Sequence, residues 1–222
     1  MENFIFKKID FDDKAMMNDI YRLRYDVYCK ECGFIKKEDY PDGIESDRYD
    51  SQSLHFAAIN SYGELIGTLR MIMPGALKLP IEECCLDVHL ERGVSCAEIS
   101  RLVISRTLRR RAGDELYYEP QVEDKKIKSG GNEFLHRARP MAFGLYRELY
   151  RESKRRGITH WYSLMEKGLW FLLAIHGFKF VCIGKQVDIY GPVLPYLGKV
   201  AEIEQEVQKK FPKFFDYFVE QF

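Results

Sequence analysis

Apolar positions recur along this chain with two periods, and the change from one to the other marks its elements. Residues 3–9, NFIFKKI, read as a first strand. From about 13 to 32 the period lengthens. Met16, Ile20, Leu23, Val27 and Tyr28 fall near helical spacing, and Gly33 stops the helix. Residues 35–52, IKKEDYPDGIESDRYDSQ, have no apolar period, are rich in acids and contain a Pro-Asp-Gly turn. A connection of that length in a compact domain is functional or mobile. LHFAAIN and ELIGTLRMIM, joined by SYG, predict a hairpin, and CAEISRLVIS (96–105) predicts the next strand. Residues 107–136 are a polar excursion. A long helix follows over about 137–156, with Pro140 expected in its first turn. THWYSLM reads as a strand, KGLWFLLAIHGF as a helix ending at Gly177, and KFVCIG and QVDIYG as further strands.

No repeat, low-complexity tract or linker interrupts this order, which predicts one α/β domain over residues 1–222. Its sheet is expected to be mixed, mostly antiparallel and flanked by helices. Phe211, Phe214, Phe215, Phe218 and Phe222 share one helical stripe in an extension from about 198 to 222. That stripe is expected to pack on the domain or form a dimer contact rather than to bind membrane.

Composition adds boundaries. Hydrophobic residues are 46% and charged residues 31%, ordinary for a globular chain. No apolar run is long enough to span a bilayer, and MENFIFKKIDFDD has acids where a secretion signal needs an apolar stretch. A cytoplasmic location follows as the expectation. Of Cys29, Cys32, Cys84, Cys85, Cys96 and Cys182, the Cys29-x-x-Cys32 pair lies in a helical pattern and Cys84-Cys85 are adjacent rather than spaced for chelation, so reduced thiols and no metal are expected. The zero net charge is split. Residues 101–156 hold 15 Lys+Arg against 8 Asp+Glu, a balance of +7, which leaves −7 for the rest. The basic segment suits an acidic partner, and no nucleic-acid motif accompanies it.

CAEISRLVIS poses the sharper question. It is apolar and β-branched, as a buried strand should be, yet it carries Glu98 and Arg101. In a regular strand residues three apart point to opposite faces. Other polar residues lie upstream: Arg24-x-x-x-Tyr28 in RYDVY, the aromatic Phe34, Asp47 and Asp50 in ESDRYD, and Arg70 in GTLR. In this order and spacing the set resembles the acyl-homoserine-lactone (autoinducer) synthases of the GNAT acyltransferase superfamily, which show Phe at Tyr28 and Trp at Phe34. YRLRYDVYCKECGF, EDYPDGIESDRYD, the hairpin and EISRLVIS together are similar to a sister group over roughly residues 5–195. That group comprises the exosortase (PEP-CTERM)-associated acyltransferases and the N-acyl amino acid synthases.

The resemblance implies a GNAT-like fold with a bulge in the strand of Glu98. A bulge puts positions three apart on one face, so Glu98 and Arg101 are expected to share the cleft. With Arg24, Arg70, Asp47 and Asp50 they would make a cluster of three positive and three negative groups. It also implies transfer of a fatty acyl group from a thioester to the amino group of a small amine, with an amino acid as the expected acceptor. Such attack needs a base, an oxyanion donor and a way for the thiolate to leave. Glu98 is the candidate base and the backbone around Ser100–Leu102 the candidate oxyanion donor. Ser100, Ser105 and Tyr162 are open alternatives for the leaving-group proton. No acyl-enzyme triad is apparent.

GNAT enzymes that use coenzyme A show a Gly-rich pyrophosphate loop after this strand. Here the nearest match, RRAGDE (Arg110–Glu115), ends in acids. The expected donor is therefore acyl-phosphopantetheine on acyl carrier protein, with acyl-CoA as the other possibility and no permanently bound cofactor. Arg106, Arg109, Arg110, Arg111, Lys125, Lys126, Lys128, Arg137 and Arg139 are the candidate docking surface. Trp161, Met165, Trp170 and Phe171 are the candidate acyl-pocket residues. Two alternatives stand beside this reading: an autoinducer synthase using S-adenosylmethionine, and a non-catalytic acyl-carrier-binding module.

Overall fold

The computed structural model describes residues 4–105 and 131–219. Its sheet has eight strands: β1 (Ile5–Ile9), β2 (Ser53–Ile59), β3 (Leu65–Ile72), β4 (Cys96–Ile104), β5 (His160–Met165), β6 (Phe180–Cys182), β7 (Val187–Asp188) and β8 (Pro192–Lys199). The order is β1-β2-β3-β4-β5-β8-β6, with β7 also on β8. Only β4 and β5 run parallel among the paired strands.

Alternation along the strands sends side chains to two helical layers. Phe56, Leu69, Ala97 and Trp161 pack on one face against α3 (Gly131–Arg156), with Met141, Leu145 and Leu149 in the contact. Ala57 and Ile59 face the other way, against Met17 and Ile20 of α1 (Lys14–Tyr25). Ile72, Cys96 and Tyr162 on that second face meet Ile81 of the short α2 (Pro80–Cys84). α4 (Lys167–Ile175) follows β5 and ends before Gly177, which sits at φ +87°. α5 (Val200–Lys210) and α6 (Pro212–Val219) close the chain. Within the phenylalanine stripe, Phe214 packs on Phe143 at 5.2 Å and Phe218 on Tyr150 at 4.9 Å between ring centroids, and Phe222 lies outside the described residues.

Three details differ from the pattern read in the sequence. α3 begins at Gly131, so Pro140 lies in its interior rather than its first turn. Residues 198 and 199 belong to β8, and the C-terminal helices start at Val200. β8 itself escapes the pattern because Pro192, Pro195 and Gly198 read as breakers. Pro195 is tolerated because its carbonyl accepts from Ile183 N–H at 2.9 Å, on the β6/β7 side. Its missing donor therefore faces the gap between β6 and β7, not the β5 ladder.

Candidate active site

Two irregularities place the site. β3 pairs with β4 at Arg70↔Ser100 and again at Thr68↔Val103, so Leu69 alone opposes Arg101 and Leu102. That is the expected bulge, and Arg101 occupies it at φ +55°. The left-handed backbone is costly for arginine, and side-chain contacts hold it there. Arg101 donates from Nη2 to Glu45 Oε1 at 2.8 Å and to Asp47 Oδ2 at 2.9 Å. Its guanidinium lies 5.6 Å from the Tyr28 ring and 5.2 Å from the Tyr190 ring. The second irregularity is that the parallel β4–β5 register runs only from Cys96↔His160 to Ile99↔Ser163, after which the strands diverge.

A cavity of about 570 Å³ opens at this divergence. Its walls come from the end of α1, where the helix widens to a π turn over Asp26–Glu31, from the bulged half of β4, and from β5, α4 and α3. Tyr28 and Phe34 line one end with Asp47, Arg70, Glu98, Ser100 and Arg101. Leu69, Leu102, Val103, Ile104, Ala142 and Leu172 supply apolar wall.

Arginines from three elements converge on carboxylates from one loop. Arg24 of α1 pairs with Glu45 and donates to Asp50 Oδ1 at 2.7 Å. Arg70 of β3 reaches Asp47 Oδ1 at 2.6 Å and Asp50 Oδ1 at 2.8 Å, and its Nε donates to Ser100 Oγ at 3.0 Å. Arg101 adds the pairs to Glu45 and Asp47. Burial works against the charge on all three carboxylates, yet the guanidiniums overcome it and hold each below its usual range. His55, whose Nε2 lies 3.1 Å from the Asp50 carbonyl, is pushed down to about 4 by burial.

Glu98 stands outside this cluster, contrary to the sequence expectation. The third acid is Glu45, fully buried and missed in the sequence although it precedes Asp47 in the same acidic loop. Glu98 shares the cavity with Arg101, as expected, but its Oε2 accepts from Ile81 N–H at 2.9 Å. Burial pushes its carboxyl up to about 8, with the Ile81 N–H, Arg70 and Arg101 only partly offsetting the rise.

Other assignments sort by position. Met165 lines the cavity, whereas Trp161, Trp170 and Phe171 do not. Trp161 is fully buried against α3 with its indole N–H on Ser153 Oγ at 2.9 Å. Trp170 stacks on Tyr196 and donates to the Phe180 carbonyl, while Phe171 points to solvent. The turn of α4 sends Leu169 and Leu172 inward instead. Of the hydroxyls, Ser100 lines the cavity. Tyr162 faces the α2 side and accepts from Glu91 N–H, and Ser105 is not in the wall. Arg106, Arg109, Arg110, Arg111, Lys125, Lys126 and Lys128 lie outside the described residues, as do the side chains of Arg137 and Arg139. Among the described residues no group of His, Cys, Asp and Glu is placed to hold a metal ion, and no helix is long and apolar enough to cross a membrane.

Residues 23–119 match the model of the acetyltransferase (GNAT) domain. The fold is that of the GNAT acyltransferases. Solved structures agree across nearly the whole chain at low identity. The acyl-homoserine-lactone synthase LasI is 16% identical, covers 90% of this chain and 91% of its own, and gives a TM-score of 0.62. FeeM, an N-acyl amino acid synthase from uncultured soil microbes, is 14% identical over 96% of this chain and 98% of its own, at a TM-score of 0.63. BjaI, a CoA-dependent acyl-homoserine lactone synthase solved with MTA, is 15% identical over 94% and 89%, also at 0.63. No curated protein matches the chain significantly.

Proposed function

We propose that this chain is an N-acyltransferase that moves a fatty acyl group from a phosphopantetheine thioester to the amino group of a small amine, with an amino acid as the favoured acceptor. The carrying observation is the opening between β4 and β5. It joins an apolar cavity, suited to an acyl chain, to a polar end where Glu98 waits with a carboxyl near neutrality. The amine binds at that end, and Glu98 takes its proton as the nitrogen bonds to the thioester carbon. A carboxyl whose pKa is raised to about 8 accepts a proton from an alkylammonium with less penalty than an ordinary one. Backbone N–H groups of the bulge, around Ser100–Leu102, face the developing oxyanion. The C–S bond then breaks, and the thiolate takes the proton that Glu98 had accepted, directly or relayed through the Ser100 hydroxyl, which leaves Glu98 ionised for the next turnover. The neutral ion cluster fixes the 35–52 loop, which forms the wall of the acceptor end through Asp47.

The favoured thioester carrier is acyl carrier protein, because the basic residues between 106 and 139 suit an acidic partner. The test incubates the protein with mixed acyl carrier proteins, acyl-CoA and an amine panel that includes S-adenosylmethionine, and reads products by mass spectrometry. N-acyl amino acids are the expected product. Acyl-homoserine lactone would select the autoinducer reading instead. Binding of acylated carrier protein without any N-acyl product would leave the non-catalytic module.

A further inference from the structure

Among the described residues the cavity wall carries three cations, and two of them are committed. Arg70 and Arg101 belong to the ion cluster, where with Arg24 they face Glu45, Asp47 and Asp50 and the charges cancel. The third is Arg48, whose side chain is 59% exposed and which lines the polar end of the cavity with Tyr49, Pro80, Cys84 and Glu98. Its Nη2 donates to the Tyr49 hydroxyl at 2.9 Å and to Glu83 of α2, which also accepts from the Tyr49 hydroxyl at 2.7 Å. A guanidinium has five N–H donors, so those on Nε and Nη1 remain for a second anion. The backbone under Arg48 is pinned from both sides. Asp47 accepts from the Tyr49 N–H at 2.9 Å, and the Asp47 N–H donates to Asp50 at 2.8 Å. The base of the side chain is thus fixed by the cluster, while its charged end is held only by an exposed pair, which competes weakly. Cys84 shows that Arg48 and Glu98 share one neighbourhood: burial pushes its thiol up, Glu98 and Glu83 add to the rise, and Arg48 opposes it.

We propose that Arg48 is a specificity residue that binds the carboxylate of an α-amino acid acceptor, whose amino group is thereby turned towards Glu98. The inference rests on the N-acyltransferase reading and adds what separates an amino acid from a plain amine. An α-amino acid carries its ammonium and its carboxylate on one carbon, so a cation and a base in one wall of the cavity suit it. Glu98 alone serves any amine. Without Arg48 an acceptor carboxylate would meet Glu83 as a like charge and be disfavoured. With it, the carboxylate gains charge-assisted hydrogen bonds from the guanidinium.

The test uses equilibrium binding to the full chain. The probes are the common amino acids, each paired with the amine formed by removing its carboxyl group, together with pantetheine and 4′-phosphopantetheine. For at least one pair the wild-type protein should bind the amino acid about tenfold or more tightly than the amine, the worth of a hydrogen bond to a charged group. Arg48→Gln should bring the two members of that pair to equal affinity. Glu83→Gln, which removes the competing carboxylate, should widen the difference. No pair with a carboxylate preference, a preference that survives Arg48→Gln, or a narrowed difference in Glu83→Gln would each overturn the proposal. So would an Arg48→Gln protein that loses only its preference for phosphopantetheine over pantetheine, since the arginine would then serve the donor phosphate. Carboxylate-dependent binding without N-acyl product in the turnover assay would instead count against the transferase reading while this one stands.

Discussion

Replacing Glu98 by glutamine should change how stability depends on pH, and the size follows from its burial. The carboxyl rises from an ordinary 4.5 to about 8 because it is buried. The folded state thus holds this proton more tightly than the unfolded chain. Its contribution to stability is complete below pH 4.5 and is lost as pH climbs to about 8, above which both states are ionised. At about 1.4 kcal/mol per pKa unit the full loss is about 5 kcal/mol, an upper figure because water reaches an ionised buried group. For a chain of this length about 2–4 °C in Tm accompanies each kcal/mol, so the loss is worth on the order of 10 °C. Glutamine cannot ionise and still offers an oxygen to Ile81 N–H. His55 works in the opposite sense, since its lowered pKa costs stability as pH falls from 6.5 towards about 4. That contribution is common to both proteins and cancels in their difference. Thermal melts of wild type and Glu98→Gln from pH 5 to pH 9 should therefore diverge, the variant gaining on wild type by several degrees. Parallel curves would refute the claim that Glu98 is held protonated by burial.

Turnover of the wild-type enzyme should rise with pH through an inflection near 8 in kcat/KM, and single-turnover rates of Glu98→Gln should fall by roughly 10²–10⁴, the span of one general base. Glu45→Gln removes the shared partner of Arg24 and Arg101, so chemical denaturation should show a loss of roughly 3–5 kcal/mol. Arg101→Lys keeps the charge but gives up the planar fork between Glu45 and Asp47, so stability and activity should fall together in melts and rate assays. Hydrogen exchange during acidification should open residues 35–52 before the sheet. The three depressed carboxyls contribute stability above their ordinary range and lose it as pH falls through their folded values.

Periodic features were legible in the sequence, and features that depend on a partner distant in the chain were not. The hairpin of β2 and β3, the helix α1 and the strand β4 follow from apolar spacing alone. The bulge was readable through family resemblance together with the placing of Glu98 and Arg101 three apart. β8 was not, because its prolines are acceptable only in view of where β6 and β7 end. Aromatic bulk suggested Trp161, Trp170 and Phe171 for the acyl wall. Which face of α4 or β5 meets the cavity depends on how β5 leaves β4, and no local pattern encodes that angle. Glu45 is not legible, because an acid in an acidic loop carries no mark of the arginine it meets 56 residues later at Arg101.

That separation has a kinetic consequence. All three carboxylates of the cluster sit within residues 45–50, but their partners lie on α1, β3 and β4. No two-element intermediate can neutralise the set, and a half-built cluster would bury charge without its counterpart. The loop therefore docks after α1, β3 and β4 have assembled, as a late step on the folding path. Its ion pairs are then absent from the transition state, so they act as a brake on unfolding rather than an aid to folding. The same six residues that pin the 45–50 loop beside the cavity thus set how long the folded protein lasts.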